Sequence, residues 1–266
     1  MKKDSISLST WVDRLQRSGR YAFTRSGAER SLGLSETSLD KALQRLCRRG
    51  RILRPRKGFY VIIPLEYSAA GTVPPEWFIG DLMAFIGKPY YVGCLSAAAL
   101  YGAAHQRPQE LEVVVPSYER AIDNPAVRIR FLQYSGMSKA LIRRHRTHTG
   151  DYPVSSPEWT AIDLIRFQKH LGGLDAVATV LAELGESLDG RRLLEAARRE
   201  PVNAVLQRLG WMLDSAGFTG LTMALREYIA SRKSRAVLLN PAAKDRRRFR
   251  NRRWDVWVNE KPRSEL

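Results

Sequence analysis

YAFTRSGAERSLGLSETSLDKALQRLCRRGRILRPRKGFYVII, residues Tyr21 to Ile63, is the stretch whose pattern decides the fold of the N-terminal part of this chain. Ser26–Leu32 reads as a short helix, broken at Gly33-Leu34. A second helix is expected to start at Ser35, whose hydroxyl can cap the first turn, with Glu36 beside the positive end of the dipole. Leu39, Ala42, Leu43 and Leu46 recur at three- and four-residue spacing, so one face is apolar. The other face carries Glu36, Thr37, Lys41, Gln44, Arg45 and Arg48. Beyond Gly50, Arg51–Arg54 and Phe59–Ile63 read as two strands joined by a tight Pro55-Arg56-Lys57-Gly58 turn. Helix, glycine-containing turn, helix and basic hairpin is the order of a winged helix-turn-helix.

That order has a chemical consequence. An α-helix or a two-stranded ribbon fits the major groove of DNA, and the first residues of an inserted helix reach base edges. Thr37, Ser38, Lys41, Gln44, Arg45 and Arg48 are therefore candidate DNA-binding residues on the helix. Arg54, Arg56 and Lys57 in the wing are candidates for phosphate, which supplies affinity without sequence information. The competing reading is a small module with a solvated polar face and a wing packed on a neighbouring domain. Met1–Ile63 holds 15 Lys and Arg against 5 Asp and Glu. A solvated face does not need such an excess.

Outward from this stretch, the 266 residues suffice for one small and one medium domain. Hydrophobic residues make up 44% and charged residues 27%, as in an ordinary globular protein, but the net charge of +17 favours a polyanionic partner. No apolar run approaches a membrane span and the start lacks a signal-peptide core, so a soluble, cytoplasmic protein without a membrane partner is expected. Cys47 and Cys94 form no C-x-x-C pair, and His145 and His148 could share a helical face but lack neighbouring ligands. No metal and no cofactor is expected.

Leu8–Arg17 has the pattern of a first helix, with Trp11, Val12 and Leu15 on one side. Tyr21-Ala22-Phe23 reads as an apolar link. Pro64–Glu76, with Ser68-Ala69-Ala70-Gly71 and Pro74-Pro75, suggests a boundary. The expected division is a winged helix over 1–64, a linker over 65–76 and a second domain over 77–266 with a basic tail. In that second domain Trp77–Gly87 and Ser96–Gly102 read as helices, and Glu110–Val115 and Val127–Leu132 as strands. Met137–Thr149 is basic and poorly patterned. Ser156–Phe167 is a helix capped by Ser156, with Trp159, Ile162, Leu164 and Ile165 on its apolar face. Amphipathic stretches follow at Leu174–Leu184, Leu188–Arg199, Val202–Ala216 and Leu221–Ile229. An alternating strand is expected at Trp254–Val258. The fold class is thus α+β, a winged helix-turn-helix followed by a mixed, helix-rich domain with a small sheet.

Catalytic constellations are sparse. P-loop, G-x-G-x-x-G and G-x-S-x-G patterns are absent. Glu110-x-Glu112 after Gly93 could hold Mg²⁺ in a nucleotidyltransferase, but Gly93-Cys94 is not the Gly-Ser pair such enzymes use. The chain reads as a non-enzyme with no catalytic residues. Two basic runs, Arg143-Arg144-x-Arg146 and Lys244–Arg253 (with Arg246, Arg247, Arg248, Arg250, Arg252 and Arg253), are candidates for a second patch. They would extend a DNA contact, meet an acidic partner or RNA, or simply be solvated.

Motifs spread over the chain resemble a known family. They comprise the winged helix, Tyr91 through Ser96-Ala97 and Leu100-Tyr101-Gly102, and the strand Glu112–Val115. Ser156-Pro157-Glu158 with Ala161-Ile162-Asp163-Leu164 follows, then Leu209-Gly210-Trp211-Met212-Leu213. Leu239, Pro241 and Arg253-Trp254-x-Val256-x-Val258-Asn259 complete the set. In this order they resemble AbiEi-type antitoxins of the abortive-infection, type IV toxin–antitoxin class. The arginine tail is heavier than in that family, and the middle basic stretch has no counterpart. The resemblance implies a repressor whose winged helix binds inverted repeats in double-stranded DNA upstream of its own operon. It implies also that the C-terminal domain counteracts a nucleotidyltransferase-like toxin, directly or indirectly. The alternatives are a protein-interaction module whose winged helix docks a partner, and a degenerate nucleotidyltransferase using Glu110 and Glu112.

Overall fold

The computed structural model describes residues 6–103, 108–243 and 249–262. The fold is α+β, and the chain divides into two compact units. Unit 1 comprises Met1–Tyr90, Tyr118–Phe131 and Arg144–Tyr152; unit 2 comprises Tyr91–Ser117, Leu132–Arg143 and Pro153–Leu266.

Unit 1 begins with α1 (Leu8–Arg17), capped by Ser7 Oγ, which accepts from Thr10 N. It continues through β1 (Ala22–Thr24), α2 (Arg25–Leu32), α3 (Glu36–Arg48), β2 (Ile52–Arg56) and β3 (Phe59–Ile62). The strands form an antiparallel sheet in the order β1-β3-β2. This is a winged helix-turn-helix. Its core joins Leu8, Val12 and Leu15 of α1 to Leu39, Leu43 and Leu46 of α3, with Phe23, Tyr60 and Ile62 of the sheet between them. Each such leucine contributes about 1.5–3 kcal/mol by leaving water. Tyr21-Ala22-Phe23 is more than the link the sequence suggested. Ala22 pairs with Val61 and Thr24 with Phe59, and Phe23 stacks on Tyr60 at 5.3 Å. Three residues carry too little periodicity to announce a strand, so partner β3 decides it.

The hairpin turn is also tighter than expected. Arg56 pairs with Phe59, so Pro55 and Arg56 belong to β2 and only Lys57-Gly58 turns. Gly58 sits at φ +85°, a conformation costly for other residues. Pro55 is accommodated because the register shifts between Leu53 and Arg56. The unit continues to α4 (Ile79–Ile86), stopped by Gly87 at φ +76°.

In unit 2, β4 (Tyr91–Val92) leads to α5 (Cys94–Leu100), which starts two residues before the sequence pattern suggested, and then to β5 (Leu111–Val115). β4 lies antiparallel to β5 and pairs with Val154 in parallel. Of the strands that follow, β6 (Ile122–Asp123) and β7 (Arg128–Gln133), which pair antiparallel, fall mainly in unit 1. By contrast, β8 (Ile142–Thr147) and β9 (Gly150–Ser155) fall partly in each unit, with β8 the last strand of its sheet. The stretch Met137–Thr149 is therefore not shapeless. Ile142–Thr147 is an edge strand with nearly every side chain exposed, so no apolar alternation could mark it. Arginines also keep an edge from pairing with other chains.

Six further pieces complete unit 2: α6 (Pro157–Arg166), α7 (Gly173–Leu184), α8 (Gly190–Arg199), α9 (Asn203–Ser215), α10 (Met223–Ala230) and a small sheet of β10 (Val237–Leu238), β11 (Phe249–Asn251) and β12 (Val256–Val258). Ser156 caps α6, accepting from Trp159 N at 3.2 Å. However, α6 is buried on every side from Pro157 to Ile165, Glu158, Thr160 and Asp163 included. It is the central helix of the unit rather than an amphipathic one. Trp254 precedes the last strand in a turn and is 1% exposed. No described helix is long and apolar enough to cross a membrane.

Candidate nucleic-acid interface

The helix-turn-helix is held by local chemistry that the sequence spells out. Ser35 Oγ accepts from Ser38 N at 3.4 Å and donates to Ser38 Oγ at 2.9 Å. Ser38 is thus engaged in the cap. Gly33 makes the turn at φ +60°. Arg25, the first residue of α2, bonds Glu29 in its own helix and reaches Glu36 at 3.3 Å and Asp40 at 3.2 Å on α3. Arg25 was not singled out from sequence. Only its i,i+4 spacing to Glu29 was visible there, whereas Glu36 and Asp40 are brought to it by the turn.

The exposed face of α3 presents Thr37, Lys41, Gln44 and Arg48 in one stripe, spaced four, three and four residues, with Arg45 beside it. Between α3 and the hairpin runs an open groove of about 810 Å³. Gln44 and Arg48 line one wall, Arg54 and Lys57 the other, with Arg25, Glu36 and Asp40 at the base of α3. The structure therefore brings two of the predicted helix residues, Gln44 and Arg48, into one groove with two of the wing, whereas Thr37, Ser38, Lys41 and Arg45 do not line it. Arg56 does not join them. It turns to Glu119 and to the Arg120 carbonyl. Burial pushes the Glu119 carboxyl up, but hydrogen bonds from Lys88 and Arg56 and their charges outweigh it and hold the group below the usual carboxylate range.

The candidate second patch consists of two runs. Arg143, Arg144 and Arg146 are exposed on β8. Arg246, Arg247 and Arg248 lie outside the described residues. Arg250 pairs with Asp255 at 2.5 Å and Arg253 with Asp214 at 2.7 Å, so both are partly neutralised by their own unit. Arg252 is exposed.

Carboxylates considered for metal chemistry have other employment. Glu112 is 2% exposed and accepts from Leu95 N at 2.6 Å and Ser96 N at 3.3 Å, capping the free N–H groups of α5. Among the described residues no group of three metal-ligating side chains converges. His145 and His148 sit on strand and turn, against Tyr152 and Trp77 respectively, instead of on a helix. Cys94 is fully buried, and burial pushes its thiol well above the usual range, away from nucleophilic use.

Unit 2 contains instead a buried polar network. Asp163 accepts from Tyr91 Oη at 2.9 Å and from Arg166, which also binds Glu200. The Arg166 guanidinium lies 3.9 Å from the Tyr134 ring centroid. One cation serves two buried carboxylates, so full ionisation leaves a net negative charge in the core. Burial pushes Asp163 up from 3.8 to about 7, against the pull of Arg166 and Tyr91. A raised carboxyl means the folded state keeps a proton that the unfolded chain has lost. The stability from neutral Asp163 is complete below about pH 4 and disappears as pH rises through about 7. Chemical denaturation across that window should show stability falling by a few kcal/mol with rising pH. Asp163→Asn should flatten the slope, and an unchanged slope would disprove the assignment.

Comparison with known proteins adds the family. Residues 12–63 match the family model described as a transcriptional regulator, AbiEi antitoxin. Residues 91–215 match the AbiEi antitoxin C-terminal domain. The fold is similar to the crystal structure of the RV2827C protein from Mycobacterium tuberculosis, with 17% identity over 93% of this chain and 89% of that one and a TM-score of 0.65. A nucleotidyltransferase-like protein from Paracoccidioides brasiliensis is a remote neighbour, 12% identical over 57% of this chain and 90% of that one, with a TM-score of 0.35. No curated protein sequence matches the chain. With one model on residues 12–63 and the other on residues 91–215, together spanning well over half of its residues, the chain belongs to the AbiEi family of antitoxins and transcriptional regulators of abortive infection.

Proposed function

We propose that the protein is a DNA-binding autorepressor and antitoxin, acting in the cytoplasm on the operator of its own operon. The observation that carries this reading is the groove in which Gln44 and Arg48, the C-terminal half of the exposed Thr37-Lys41-Gln44-Arg48 stripe of α3, face Arg54 and Lys57 of the wing. Arg and Lys can bond guanine, and Gln adenine, from such a helix, while the wing cations contact phosphate. In functional terms residues 1–64 are the DNA-binding part, 65–76 the link and 77–266 the part that opposes a nucleotidyltransferase-like toxin. That last role is carried by family membership alone. The capping role of Glu112 favours a second part that binds rather than catalyses.

Fluorescence anisotropy with the duplex directly upstream of the gene, against a scrambled duplex over a salt series, tests the reading. A preference of about 10³-fold or more at physiological salt is expected. Lys41→Ala and Arg45→Ala should each cost on the order of 1–3 kcal/mol on the upstream duplex and relax the preference. Lys57→Ala should weaken both duplexes alike and flatten the salt slope by roughly 0.9. Equal binding to both duplexes that collapses with salt would instead make the winged helix a protein-docking module.

A further inference from the structure

Arg56 is a wing cation that the groove does not use. Its Nη1 binds Glu119 Oε1 at 2.5 Å and its Nη2 donates to the Arg120 carbonyl at 2.5 Å. The guanidinium lies 5.9 Å from the Phe131 ring centroid, and its Nε is buried without a partner. The second oxygen of Glu119 holds Lys88 Nζ at 3.0 Å, and Lys88 also donates to the Tyr118 carbonyl at 2.6 Å. Glu119 is only 11% exposed on its side chain. All of these residues belong to unit 1, the unit that carries the winged helix.

A carboxylate gripped by a guanidinium and an ammonium has the charge sign and the paired oxygens of a phosphodiester. Sequence-blind affinity for DNA grows with each cation free to displace counterions. We propose that Glu119 is an internal stand-in for phosphate: it occupies Arg56 and Lys88, so that sequence-blind attraction of the wing to DNA is held down and α3 sets a larger share of the binding. Glu119 is thereby a specificity-determining residue that touches no base. The inference rests on the DNA-binding reading above.

The test uses the full chain with Glu119→Gln, Arg56→Gln and the double variant, on the upstream and scrambled duplexes over a salt series. Thermal melts establish that each variant is folded. Glu119→Gln should tighten binding to scrambled DNA, steepen the salt slope by roughly 0.9–1.8 and shrink the preference for the upstream duplex. In the double variant only Lys88 is released, so the gain in slope should fall to roughly 0.9 or less. Arg56→Gln alone tests the point with Glu119 untouched, and should leave the slope unchanged because Arg56 is already occupied. Unchanged or weaker binding by Glu119→Gln overturns the proposal, as does a flatter slope for Arg56→Gln. A wild-type chain that shows no preference for the upstream duplex removes the DNA-binding reading itself. Wild-type preference with an unresponsive Glu119→Gln removes only this inference.

Discussion

Replacing Arg166 with Met should destabilise unit 2 by about 3–5 kcal/mol, the range for a buried ion pair that loses one partner. Methionine keeps much of the aliphatic volume, so the loss is electrostatic more than steric. Glu200, 1% exposed, would retain a hydrogen bond from Val202 N at 2.9 Å and a long one from Tyr134 Oη at 3.4 Å, with no cation. Asp163 would retain only Tyr91 Oη. Urea denaturation followed by tryptophan fluorescence would measure the effect, since Trp159 donates to the same Tyr91 hydroxyl at 3.2 Å. The triple variant Asp163→Asn, Arg166→Met, Glu200→Gln should recover most of the loss, because it removes the charges together with their cation. A loss below about 1 kcal/mol in the single variant would mean that the network is solvated and its charges are worth no more than a surface pair.

The second large effect is expected at Gly210. In the middle of an exposed helix, Gly→Ala stabilises by about 0.8–1 kcal/mol. Here the sign should reverse. A Cβ on Gly210 would press into Cζ3, Cη2 and Cε3 of Trp254, far inside van der Waals contact. The indole cannot step aside, because it is 1% exposed and its Nε1 donates to Asp214 Oδ2 at 2.7 Å. Overpacking of this kind typically costs about 1–3 kcal/mol net, and a pinned tryptophan places it at the upper end. Gly220→Ala meets nothing within 4 Å, so it serves as the control and should stay within about 0.5 kcal/mol of wild type. Thermal melts of both variants decide the matter. A Gly210→Ala chain as stable as the control would show that α9 and Trp254 separate more easily than this packing implies.

The winged helix was the most legible part of the chain. Its signals are local: a serine cap, leucines at helical spacing, and glycines where the backbone needs positive φ. Local signals act within a few residues and survive in any context. The same holds for the exposed stripe on α3, which follows from the spacing of Thr37, Lys41, Gln44 and Arg48 once the buried leucines are known. By itself the sequence therefore determined the helix-turn-helix, its basic face and, through motifs scattered in a fixed order, the family.

What only tertiary structure decided are partnerships between residues far apart in the chain. Ala22–Thr24 becomes a strand because β3 offers hydrogen bonds. Ile142–Thr147 becomes one at a sheet edge, where its exposed arginines hide the alternation. Glu112 reads as a metal ligand until α5 places two N–H groups on it. Asp163 reads as an ordinary polar position on an amphipathic helix until burial on all sides of α6 raises its pKa. Arg56 and Lys57 are neighbours with identical charge in the sequence, yet one faces the groove and the other is gripped by Glu119, 63 residues away. The physical reason is common to all five. Hydrogen bonding, desolvation and ion pairing act through space over a few ångströms, and which groups come that close is set by packing rather than by the residues that flank them.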